Sequence, residues 1–560
     1  MTNSRATTWA AALTLALGGC HGILDLNDLD AVDEADVWND AALAEAYVNR
    51  IYADNLPGWS TGDATTSDES PGGTSYLYGQ LTGNSVNYWP YSQIRRINIL
   101  LTEIDNGSID TVLTKRLKGE GYFFRAWRYW EMVKRYGGVP LILEPQELTD
   151  DLLVARAPTS QCVAQIVADL DSAITLLPTV AAGSGANDGH IHKGTAMAVK
   201  GRVLLYYASP QFNRTGDVTR WQNAYDANLE ARDYLTSQGF GLYDDFETLW
   251  FDEMNREAIF VRRYSYPVST HNWAASTRPL DESQGATGGN RPTLEMVEAF
   301  PMQDGRPITG HPSYDSVYFW QNRDPRFYAT IAYNGAVWEL SGKTGRRQWT
   351  YVGGESNNPT PSGFYTRKAV DPADDAFEAF TGQTPWIEIR YAEVLLNLAE
   401  AANAIGNASV AYDQLIALRA RAGIDPGTGF YGLDAGMSGA QVQDAIMLER
   451  RIELAYEAKR YWDLRRNMLF ETLLNGTRRH GLRINLIVPA DQWIPVRDTV
   501  DLETTYHQYF EHVIIELDTQ SAINWQSNYY FFAIPQEHRE LNSNLEQTTG
   551  WAGGTFDPLL

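Results

Sequence analysis

The sequence predicts an all-α protein: about four helical hairpins packed side by side, with a long loop-rich segment held between them. Three observations carry that prediction. Apolar residues recur at helical spacing in two regions, one early and one late in the 560-residue chain. One late repeat spans about 34 residues and places small residues at its contact positions. The segment between the two regions, residues 258–385, is rich in Gly, Pro, Asn and Trp and sustains no helical period.

The chain opens MTNSRATTWAAALTLALGGC, with Arg5 as its one early charge and an apolar run from Trp9 to Leu17. This pattern is an export signal, and the run is far too short to cross a bilayer. Its ending, Leu17-Gly18-Gly19-Cys20, resembles a bacterial lipobox, in which the chain is cut before the Cys and the thiol takes a diacylglycerol. The expected organisation is a signal peptide over 1–19, a lipidated acidic leader over 20–36 and a single domain over 37–560. Stable anchoring takes more than one acyl chain. With Cys20 lipidated, Cys162 is the only other cysteine, so no intrachain disulfide can form. Cys162 falls at an apolar helical position and reads as inert core.

The first hairpin, about 117–178, has stripes at Phe123, Ala126, Trp127, Trp130 and Val133 and at Val163, Ile166, Leu170 and Ile174. The second, about 192–237, has Ala196, Val199, Val203 and Tyr207, answered by the segment from Trp221 to Leu235. The third, about 386–422, runs Tyr391, Val394, Leu395, Leu398 and Ala402, turns at Gly406-Asn407 and returns through Ala411, Leu415 and Leu418. It resembles a tetratricopeptide hairpin, whose apolar face is buried only by stacking on neighbours. The fourth, about 437–474, starts at Leu448, Ile452, Ala455 and Tyr456. It places Glu449, Glu453 and Glu457 on one face with Arg450 and Arg451 between them, which predicts an ion-paired structural helix rather than an acid–base pair.

Composition bounds the function. A net charge of −25 repels phosphate backbones, so nucleic acid is not an expected partner. Aromatic residues make up 12%, more than a helical core needs, and many fall in the loops 55–90 and 258–385. A sugar ring has an apolar face and a polar equator; an aromatic plane covers the first while amides and carboxylates take the hydroxyls. The candidate ligand-binding residues are Trp59, Tyr76, Trp89, Trp273, Trp320 and Trp338, with Asp63, Asp68 and Asn84 as hydroxyl partners. The competing role for each ring is as a packing pin for its loop, and Trp89, just ahead of the helical YSQIRRINILL, illustrates it. Catalytic readings fail: Ser184 lacks the outer residues of a nucleophile elbow, and Gly342-Lys343-Thr344 lacks the glycine that opens a phosphate loop. His190 and His192 have no third ligand at a recognisable spacing, so no metal site is assigned.

Several segments, in order, resemble the SusD/RagB lipoproteins of Bacteroidetes-type outer membranes. They include GYFFRAWRYWEMVKRYGGVPLILEP (121–145), HKGTAMAVKGRVLLYYASP (192–210), NRPTLEMVEAFPMQDGRPI (290–308) and RDPRFYATIAYNG (323–335). SGFYTRKAV (362–370), WIEIRYAEVLLNLAEAANAIG (386–406), ERRIELAYEAKRYWDLRR (449–466) and FFAIPQEHRELNSNLEQTTGW (531–551) complete the series. The resemblance implies four tetratricopeptide-like hairpins under a loop-rich face, and a lipid-anchored protein of the cell outer membrane that faces the exterior. It implies capture of an oligosaccharide or polysaccharide, less often a peptide, for a SusC-like TonB-dependent transporter barrel, with no enzymatic chemistry. No cofactor is expected, and whether a loop-bound structural calcium assists is left open by the sequence. The loops vary most within the family, so no binding residue carries over by motif.

Overall fold

The computed structural model describes residues 34–59, 63–283, 289–355 and 360–560. The signal peptide, Cys20 and the leader as far as residue 33 lie outside the described residues. The protein is all-α in class, with a few short strands.

Two helices absent from the hairpin reading begin the frame, α1 (Ala41–Asn55) and α2 (Tyr91–Glu103). Four pairs follow: α3 (Thr111–Tyr136) with α4 (Thr159–Leu176), α5 (Lys193–Ala208) with α6 (Val218–Ser237), α7 (Tyr391–Ala404) with α8 (Ala408–Ala422), and α9 (Gly439–Glu453) with the short α10 (Arg460–Arg466). Local chemistry sets their ends. The side chains of Asp40, Asp110 and Asp217 accept from the first free amides of α1, α3 and α6. Ser438 and Gln441 form a reciprocal capping box on α9. Gly423 closes α8 in the left-handed conformation at φ 82°. Each helix buries its stripe on the next: α3 on α2 and α4, α4 on α5, α6 on α7, and α7 on α9.

The apolar interior divides in two. The first core lies within the helical frame and holds Phe123, Trp130, Cys162, Leu170, Val199, Leu396 and Leu415. The second is built mainly by residues 246–387, with 452–456 and 482–510, around Trp250, Phe300, Phe327, Ile331, Trp338, Phe364 and Trp493. The middle of the chain therefore lacks helical period yet packs an interior of its own. Two strands link this body to the frame: β1 (Ala258–Arg262) pairs antiparallel with β2 (Trp386–Arg390), and β2 runs straight into α7. A hairpin of β3 (His480–Leu486) and β4 (Phe510–Glu516) flanks the second core.

Between the cores lies a charge network whose make-up corrects the sequence reading of α9. Glu449, Glu453 and Glu457 are ion-paired, but to cations from other segments. Arg326 bonds Asp324 (2.7 Å), Glu449 (2.5 Å) and Glu453 (2.8 Å). Arg390 bonds Glu257, Glu453 (both 2.6 Å) and Glu457 (2.8 Å). Arg419 holds Glu449, Lys368 holds Glu457, and Arg421 holds Glu257 and Glu453. Arg450 turns instead to Asp463 (2.8 Å) and Arg451 to Asp68 (3.1 Å). α9 ends at Glu453 and the chain turns at Tyr456 (φ 60°), so Glu457 lies beyond the helix and not on its face as the sequence spacing suggested; each of the three carboxylates is stable in the interior only with a cation brought from elsewhere. Burial alone would raise the pKa of Glu453, yet the guanidinium groups of Arg421, Arg390 and Arg326 hold it well below the usual carboxylate range.

Candidate ligand-binding cavity

The six aromatic residues singled out in the sequence divide between the two cores. Trp273, Trp320 and Trp338 are only 1%, 3% and 1% exposed, which corrects their reading as ligand platforms. An indole stacks on a sugar only where its face is open, and these faces are used in packing. Trp273 lies against Trp59 (centroids 4.6 Å apart, planes at 19°) and donates its Nε1–H to the carbonyl of Lys368 at 3.1 Å. Trp59 is half-buried between Trp250 and Trp386 and donates to the carbonyl of Thr384. On the first core, half-buried Trp89 stacks on His538 at 4.9 Å, and half-buried Tyr76 meets Tyr461 and Phe532 edge-on. Asp68 is buried in ion pairs with Arg460 (2.8 Å) and Arg451, so it is a structural carboxylate rather than a hydroxyl partner. Asn84 is exposed and accepts from the amide of Gln536, while the side chain of Asp63 lies outside the described residues.

One residue of the six, Trp320, borders a cavity of about 310 Å³ on the second core. A short helix, Pro325–Thr330, brings up Tyr328; the turn after it brings Tyr333 and Asn334; the loop that follows brings Arg347; and the helix Leu502–Tyr509 closes the far wall with Leu502 and Glu503. Tyr333 is stacked on Trp320 at 5.2 Å and 17° and on Phe327 at 5.8 Å and 30°. Tyr328 donates its hydroxyl to the carbonyl of Trp320 at 2.6 Å. Buried Asn334 accepts from the amides of Thr350 and Tyr351 and donates to the hydroxyl of Tyr506, which fixes the turn. Gly335 is required beside it: at φ +87°, an added Cβ would sit 2.4 Å from Cδ1 of Leu502.

The charged rim is ordered by internal bonds. Glu503 accepts from Nε1 of Trp320 (3.2 Å) and Nε2 of Gln321 (2.9 Å). Asp501 caps its helix through the amide of Glu503 and the hydroxyl of Thr504. Arg367 pairs with Glu247 at 2.7 Å. Arg347 donates one N–H to the carbonyl of Val500 at 2.9 Å. Burial, with the Glu503 carboxylate nearby, raises the pKa of Tyr333, and burial raises that of Tyr328, so both phenols stay protonated at neutral pH. The cavity thus offers two half-buried rings beside guanidinium and carboxylate groups. A larger neighbouring groove of about 460 Å³ mixes aliphatic side chains such as Val297, Val317 and Ile514 with Tyr314, Phe510, Glu298 and Glu511.

Sequence reasoning missed Tyr328, Tyr333, Arg347, Arg367, Asp501 and Glu503. Tyr328 and Tyr333 stand within RDPRFYATIAYNG, a motif already noted, but nothing local shows that residues 501–503 fold against it. Among the described residues no group of three or more His, Cys, Asp or Glu side chains could hold a metal ion. No described helix is long and apolar enough to cross a membrane.

An all-α frame of paired helices with a loop-built second core defines a class of protein well represented among solved structures. A SusD-like protein from Bacteroides fragilis superposes with a TM-score of 0.76 at 25% identity, covering 93% of this chain and 99% of its own. A laminarin-binding SusD-like protein superposes at 0.59 with 21% identity, covering 92% and 100%. SusD-like protein P2 of Formosa agariphila is 25% identical over 422 residues, 72% of this chain and 76% of that protein. Residues 270–551 match the SusD family, and residues 30–205 match a family described as starch-binding and associating with the outer membrane. The chain belongs to the SusD/RagB family.

Proposed function

We propose that this protein is a non-catalytic glycan-binding subunit of the outer membrane, which captures oligosaccharides in the Trp320–Tyr333 cavity and delivers them to a SusC-like TonB-dependent transporter. Lipid on Cys20 anchors it, facing the exterior. One observation carries the reading: half-buried aromatic rings and planar charged groups line one cavity of a size that admits a small ligand. Membership of the SusD/RagB family supports it, as does the laminarin-binding relative of the same fold.

The test is a retention assay of the full chain on neutral, uronate-bearing and sulfated polysaccharides and on oligopeptides, with the supernatants checked for cleavage. Retention on a glycan without products, lost in Tyr333→Ala, is expected. Released products overturn the non-catalytic reading, and retention of peptides alone overturns the glycan.

A further inference from the structure

The cavity is ringed by four charged side chains, of which one, Arg367, is ion-paired and two, Glu503 and Asp501, are carboxylates held by neutral hydrogen-bond donors. Arg367 has Glu247 as its counter-ion. Glu503 is bonded by Trp320 and Gln321, and Asp501 sits on a helix N-terminus, where the amide of Glu503 and the hydroxyl of Thr504 take up its oxygens. Arg347 differs. Its one hydrogen bond through the guanidinium goes to a neutral carbonyl, that of Val500, and among the described residues no carboxylate lies within ion-pair distance. It is half-buried, so the charge is partly withdrawn from water without a partner. A guanidinium keeps its remaining N–H groups in a rigid fork that matches two oxygens of one oxyanion.

We infer that the sugar this cavity takes is anionic: a pyranose whose carboxylate or sulfate group closes on the free fork of Arg347 while Tyr328 and Tyr333 border it. The inference rests on the glycan-binding reading above and narrows it. The net charge of the chain disfavours an anion at long range, so the preference arises at contact and is confined to one side chain. Neutral sugars lack the group that satisfies this arginine and leave its charge uncompensated on binding.

The experiment starts from whichever glycan the full chain retains in the panel above. Its uronate carboxyls are reduced to alcohols in one preparation and its sulfate esters removed in another, and affinities are measured by calorimetry. The expected result is that one of these treatments weakens binding about 10- to 100-fold, the range of a charge-assisted hydrogen bond, and thereby identifies the anion. Arg347→Gln removes that difference, and Arg347→Lys, which keeps the charge but loses the fork, retains part of it. Arg95→Gln, at an exposed ion pair with Glu147 on the helical frame, leaves it intact. Retention of neutral glycans alone, equal binding after both treatments, or an undiminished preference in Arg347→Gln overturns the inference while leaving glycan capture standing. Failure of every glycan to bind overturns both.

Discussion

Replacing Glu453 by Gln removes one negative charge from an interior that is otherwise balanced. The network holds five cations, Arg326, Lys368, Arg390, Arg419 and Arg421, and five acids, Glu257, Asp324, Glu449, Glu453 and Glu457. Glu453 is fully buried and bridges three of the guanidinium groups. An amide of the same shape keeps one acceptor but leaves a net positive charge in the interior, and breaking a buried pair costs about 3–5 kcal/mol. If the 560 residues melt together, an unfolding entropy of about 2.1 cal/mol/K per residue turns this into a Tm lower by about 3–4 °C. Urea unfolding followed by circular dichroism measures the loss. Glu453→Gln combined with Arg421→Met removes one charge of each sign, so its cost falls short of the sum of the singles by about 1–3 kcal/mol. The pH dependence has a definite sign. The folded pKa of Glu453 is depressed, so its stabilisation is complete above the ordinary carboxylate pKa of 4.5 and is lost as pH falls below it toward the folded value. The gap between wild type and variant therefore narrows on acidification. A loss below about 1 kcal/mol at pH 7, or a gap that widens toward pH 3, refutes the assignment of Glu453 as the centre of the network.

Tyr333→Ala removes the half-buried ring of the cavity and weakens glycan binding at least about tenfold, read by affinity electrophoresis, with the far-ultraviolet spectrum unchanged. Gly335→Ala pushes a methyl group into Leu502 and strains a backbone at φ +87°; both the melting temperature and glycan affinity fall, because the 502–509 helix is a wall of the cavity. Trp273→Ala empties a buried site and costs about 3–5 kcal/mol of stability. Its effect appears in the denaturation midpoint, while glycan affinity of the still-folded fraction stays that of the wild type.

The frame was legible because its signal is local. A stripe at 3.6-residue spacing, such as Tyr391 to Ala402, states which face is buried whatever it is buried against. The strands were not legible: AIFVR and WIEIR are too short to show a period, and both faces of β2 are buried, so no alternation marks it. The loop tryptophans were misread for a related reason. Gly and Asn around Trp273 and Trp338 suggested open loops, but their burial depends on partners such as Lys368 that lie far along the chain. The cavity shows the limit most clearly. Tyr333 and Trp320 are close in sequence, whereas Asp501 and Glu503 reach them across more than half the distance between the middle segment and the C-terminus. Glu449, Glu453 and Glu457 were recognised as structural, but neither their partners nor the end of the helix ahead of Glu457 was, because carboxylates at close spacing say that cations are needed without saying which.

The charge network also sets an order in time. A chain that emerges N-terminus first delivers all five cations by residue 421, but only Glu257 and Asp324 among the acids; the other three arrive with residues 449–457. Until then the interior between the two cores would carry a surplus of three positive charges, which keeps it wet and the two bodies apart. The middle segment can collapse on its own tryptophans early, while charge balance at its boundary with the helical frame waits until just over four-fifths of the chain is present. The last turn of α9 and the turn that follows it thus act as a latch that closes late, after both bodies it joins have been made.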